Sequence, residues 1–312
     1  MPLSTFGLGG GSSLSSHPHL HRWWAAAGTR NPRTTTTALA LVVCVAAPAA
    51  YLAFAKRSLG RRTEARPARV GPPRSGPAKD GDGEGILTGT FAPIPDELVT
   101  SEADAGVVVA REAVRSHPFP VASLKPEFVR RRPGLGPGLD ADAGTGARAG
   151  ADVEVSEVDK DAMVSTFLRT SMRLFARTPQ AVLMRRLMIT GDAAASFEAA
   201  YLDACAFAVG DRVCGVYIVA ERRAADGVAV LNLSPPEGWS GPRPEGVIVV
   251  AVVEDGDGEK GSGGGKLRFV NETLLWRRAD DAPTVLEGRV GAWLHELMIR
   301  WFVVRAVDAV TV

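Results

Sequence analysis

The apolar residues of this chain change their spacing twice, near Gly191 and near Pro283, and no other feature limits its fold so tightly. Between residues 152 and 191 they recur at close to 3.6 residues per turn. Met163, Phe167, Met172, Leu174 and Phe175 make one stripe, behind a start signal in which Asp159 follows Ser156 by three. This predicts a helix ending near Arg177. Thr178-Pro179 opens a second one carrying Val182, Leu183, Leu187 and Met188, and Gly191 stops it. The spacing then falls to two, or gives way to runs of β-branched residues. Strands are predicted at 213–220, 227–233, 246–254 and 266–277, with Asp226-Gly227 as a turn and an acidic, glycine-rich loop at 255–265. Helical spacing returns over 283–307. Val290, Trp293, Leu294, Leu297, Met298, Trp301 and Val304 share a wide apolar face, with Thr284 and Glu287 as a capping pair and Glu296 and Arg300 as a surface pair. The predicted fold class is α+β: two helices, then an antiparallel meander sheet packed on a long C-terminal helix, in a globular domain over 151–312.

The charge of the chain divides it. The net value is +1 over 312 residues, but residues 1–80 carry +9 and the remainder carries −8. Within the basic part, residues 38–55 (ALALVVCVAAPAAYLAFA) have no charge. A single N-terminal transmembrane helix is predicted over 34–56, between a disordered basic leader at 1–33 and a disordered basic tether at 57–85. Residues 86–150 are predicted to be partly ordered, with a short strand available at 86–91, a strand or a helix turn at 107–114 and a Gly/Pro-rich linker at 133–150. More basic residues follow the run than precede it, so the C-terminal domain is expected to face the cytosol or the mitochondrial matrix. Lys56, Arg57, Arg61 and Arg62 would then meet the anionic leaflet surface. Two rival readings of the same run are an organelle-targeting leader that is cleaved off and an Ala-rich leader with no membrane role. A nucleic-acid partner is not expected, and nothing in the sequence sets the oligomeric state.

Two helices, a meander and a long closing helix resemble, in that order, the helix-grip superfamily of START-like and polyketide-cyclase-like proteins. The resemblance covers about residues 155–310 and includes the closing-helix segment Trp293-Leu294-His295-Glu296-Leu297. It implies a curved sheet around the helix, with an apolar small molecule or lipid in the cavity between. It transfers no catalytic residue.

Chemical motifs are sparse. Cys205 and Cys214 lack the second pair of a zinc site, and both Asp/Gly runs fail as calcium loops at their twelfth position. No metal and no cofactor is expected. The polar and aromatic residues set in apolar runs are the ligand-binding candidates: Tyr217, Asn271, Thr273, Trp276, Trp293, His295 and Trp301. Asn271 and Thr273 share a strand face with Phe269 and Leu275. The leading expectation is a membrane-anchored protein that binds an apolar ligand. The alternatives are a cyclase- or thioesterase-like enzyme on an apolar acyl or polyketide substrate, with His295 as its proton carrier, and a non-catalytic interaction module.

Overall fold

The computed structural model describes residues 47–73, 89–93, 98, 106–129, 158–187, 191–235, 245–255 and 265–312. The expected leader, most of the expected membrane run, the 133–150 linker and the predicted cap Ser156 lie outside the described residues. The chain divides after Ala55, and the second unit, Lys56–Val312, carries the whole sheet.

Helix α1, Ala47–Gly60, is the first described element. Among the described residues no helix is long and apolar enough to cross a membrane. Strand β1, Thr63–Gly71, falls where a tether was expected. It pairs antiparallel with β2, Val107–Ser116, and a register shift lies between Arg66 and Arg69. Pro67 is admissible there because β1 is an edge strand with a free N–H side. After β3, Phe119–Pro120, come helices α2, Lys160–Phe175, and α3, Pro179–Leu187. Asp159 caps α2, its carboxylate accepting from Ala162 N at 3.0 Å. Thr178 caps α3, with Oγ1 accepting from Ala181 N at 3.2 Å. On α3 Val182 and Leu183 are exposed and Ala181 is buried, while Met188 lies outside the described residues.

Two short helices, α4 (Asp192–Ala195) and α5 (Ala199–Ala204), precede the meander. The strand predicted over 213–220 is two strands, β4 (Arg212–Val213) and β5 (Tyr217–Arg223). The chain turns between them through Cys214 and Gly215, both at positive φ. Then follow β6 (Val228–Leu233), β7 (Glu245–Glu254) and β8 (Lys266–Arg278). Gly227, at φ +64°, supplies the left-handed residue of the β5–β6 turn. Helix α6, Arg289–Val310, closes the chain. Glu287 does accept from Thr284 N, at 2.7 Å, but this fixes the turn ahead of α6, which begins five residues after Thr284.

All strand pairs are antiparallel, in the order β1-β2-β8-β7-β6-β5-β4, with β3 continuing alongside β8 beyond β2. The meander β4 to β8 thus gains its partner on the far side from β2, a strand formed some 150 residues earlier. Side chains alternate between two buried faces. The first face packs on α2 and α6: Leu231, Val250, Val252 and Phe269 meet Phe167, Phe302 and Val303. The Phe167 and Phe269 rings lie 5.2 Å apart. The second face carries Val230, Val249, Ala251, Val270 and Leu274, with Phe91, Ala92 and Leu98 packed against it.

Candidate functional site

Between α2, α6 and the first face of the sheet lies a cavity of about 30 Å³. Its wall is mostly hydrocarbon and ring, with Phe167, Phe175 and Phe302 among the lining residues. Into this wall the fold places two polar side chains whose needs are unmet, Ser171 and Asn271, and a third, Thr273, adjoins it. Ser171 comes from α2, where it follows Phe167 by four residues and so shares its buried stripe. Asn271 comes from β8, and Thr273 follows on the same face. Among the described residues Ser171 Oγ, Asn271 Oδ1 and Thr273 Oγ1 have no hydrogen-bond partner, and all three residues are at most 4% exposed. A buried polar atom without a partner costs about 1–3 kcal/mol, and each such case calls for a reason.

A fourth polar group completes the cluster. In β2, Glu112 stands opposite Thr273 in register. Its carboxylate, 2% exposed, meets His295 Nδ1 from α6 at 3.1 Å. Nδ1 is the ring nitrogen that meets Glu112, and His295 also lines the cavity. The other charges nearby on α6 are already engaged. Arg300 Nε donates to Glu296 at 2.7 Å, and Arg300 Nη1 donates to the Thr63 carbonyl at 2.9 Å. Lys56 Nζ donates to Glu296 at 3.4 Å and sits 5.7 Å from the Trp293 ring centre. The Glu296–Arg300 pair expected on the surface is thus largely buried and ties α6 to the chain before β1.

The sequence candidates separate cleanly. Tyr217, Asn271 and His295 line the cavity, and Thr273 adjoins it on the same face. Burial raises the Tyr217 phenol above its usual range. Trp276 lies on the opposite face, where its Nε1–H donates to Glu245 at 2.7 Å. Trp293 belongs to the Lys56 contact, and Trp301 packs against Phe302. These three tryptophans are not among the lining residues. Ser171 and Glu112 were missed by sequence reasoning. The only sequence signal for Ser171 was a hydroxyl on an apolar helical stripe, and for Glu112 an acid inside a valine- and alanine-rich strand.

Neither thiol of the domain is suited to act as a nucleophile. Cys214 is pushed up to about 12 by burial, and its Sγ–H donates to the Met172 carbonyl. Burial, followed by the Asp211 carboxylate, also raises Cys205. The chemistry available at the cavity is therefore hydrogen bonding and, through His295, proton transfer. No protein-family model, curated protein or solved structure matches this chain.

Proposed function

We propose that the domain binds a small, mainly apolar molecule between the sheet and α6, with the polar end of the molecule at Asn271, Thr273 and Ser171. The observation that supports this is the set of unpartnered buried polar atoms in a hydrocarbon wall. In the closed form the cavity holds roughly one water molecule. A ligand of ordinary size needs about 300 Å³ or more, so it must displace side chains on entry. Met172 and Met298, both in the wall, are unbranched and adaptable enough to move aside. Titration with a ten-carbon alcohol, followed by calorimetry and by methyl NMR of Met172 and Met298, tests this. Saturable shifts at both methionines support the reading, and unchanged spectra refute it.

The Glu112–His295 pair favours a second reading. A buried carboxylate that orients an imidazole facing an apolar cavity suits proton transfer on an acyl or polyketide substrate. His295→Ala would then abolish turnover while ligand binding persisted.

We also propose that the run at 38–55 anchors the protein in a membrane, with Lys56–Val312 on the cytosolic or matrix side. Residues 47–55 are helical, Tyr51 and Phe54 are exposed, and Arg57 and Arg61 follow exposed. Of the four basic residues expected at the leaflet, Lys56 and Arg62 instead pair with Glu296 and Asp308. Full release of the protein by carbonate extraction would refute an integral anchor.

A further inference from the structure

We infer that the pocket selects neutral molecules whose polar end donates a hydrogen bond, an alcohol or a primary amide, and excludes carboxylates. The inference rests on the ligand-binding reading above and concerns the chemistry of the ligand's head. Three observations carry it. First, no Lys or Arg lines the cavity among the described residues. Second, the one carboxylate beside it, Glu112, is 2% exposed and already engages His295. An incoming carboxylate would become a second buried anion with no counter-ion, which strongly disfavours the charged form. Third, Asn271 Oδ1, an acceptor, is wholly buried without a partner among the described residues. An alcohol O–H or an amide N–H satisfies it, and a carboxylate has no proton to give. Ser171 and Thr273 offer hydroxyls that serve the ligand's own oxygen in return.

The remaining charges around α6 do not change this balance. Glu296 and Arg300 are joined to each other, and Arg277 is held by Glu287 at 2.7 Å.

The test uses the intact protein and three ten-carbon probes: decan-1-ol, decanamide and decanoate, each titrated by calorimetry at pH 7. At that pH fewer than about one decanoate molecule in a hundred is the neutral acid. The expected result is that the alcohol and the amide bind and that decanoate binds at least about tenfold more weakly. Equal affinity for decanoate and decan-1-ol overturns the inference while leaving the pocket reading intact. Binding of none of the three overturns both. Glu112→Gln sharpens the result, because removing the anion should narrow the gap between decanol and decanoate. A gap unchanged in a folded Glu112→Gln protein contradicts the role given to Glu112. If that variant does not fold, the three-probe series on the native protein still decides.

Discussion

Two buried polar clusters on opposite faces of the central sheet differ in how fully they are hydrogen-bonded, although the residues concerned are neighbours in the chain. On the second face, Arg111 Nε donates to Glu272 Oε1 at 2.7 Å, and the Phe91 N–H donates to Glu272 Oε2 at 3.0 Å. The Thr90 hydroxyl donates to the same carboxylate, and Arg111 Nη2 reaches the Gly89 carbonyl at 3.0 Å. This is a buried ion pair with its hydrogen bonds met, and it clips residues 89–92 to the sheet. On the first face, one position away along the same strands, stand Glu112, Asn271 and Thr273, and the last two have unpaired atoms. Polar groups that complete each other hold a fold together. Polar groups left incomplete inside hydrocarbon have a cost that folding alone does not justify, and on that difference the proposed ligand site rests.

The comparison breaks most readily at Arg111. Arg111→Leu leaves Glu272 buried without its counter-ion and should cost about 3–5 kcal/mol in urea unfolding. The double change Arg111→Leu with Glu272→Leu should recover most of that loss, since no lone charge remains. A single-variant cost near zero would mean that the second face is no more structural than the first. Next in size is the cap of α2, the helix that covers the first face. Asp159→Ala removes the acceptor for Ala162 N and should cost about 1 kcal/mol. The matching change on the first face, Ser171→Ala, should leave stability unchanged or raise it by up to about 2 kcal/mol, because the hydroxyl has no partner to lose. A loss of stability would show that Ser171 is bonded in solution.

The acid limb of stability should give the smallest effect. The Arg277 guanidinium, aided by the Thr284 N–H, lowers Glu287 to about 2 from 4.5. A carboxylate depressed in the folded state contributes stability above its unfolded pKa and loses it as pH falls. Unfolding followed between pH 5 and 2 should therefore show a slope that Glu287→Gln reduces. An unchanged slope would place the acid sensitivity elsewhere.

How far the sequence could reveal this arrangement depended on where each residue's partner lay. Strands β7 and β8 were legible because both their faces are buried and their composition is nearly all apolar or β-branched. Helices α2 and α6 were legible from their own stripes. Strand β1 was not: TEARPARVG carries two arginines and a proline, and it is a strand only because β2 pairs with it at the sheet edge. Strand β2 was ambiguous for the same reason, since Arg111 and Glu112 are buried charges whose partners lie 161 and 183 residues away. The site followed the same rule. Asn271, Thr273, Tyr217 and His295 stood out as polar residues in apolar runs. Glu112 and Ser171 join them only through tertiary juxtaposition. Trp276 was misplaced by one step of strand parity, three residues from Thr273 and so on the other face.

The central claim is that Asn271 serves a ligand and not the fold, and one variant tests it in a single preparation. Asn271→Leu keeps a similar volume and removes the unpartnered acceptor. Urea unfolding should show stability unchanged or raised by up to about 2 kcal/mol, while decan-1-ol affinity falls by at least about tenfold. A variant that is destabilised by more than about 1 kcal/mol, or that binds decan-1-ol as the native protein does, would contradict the account.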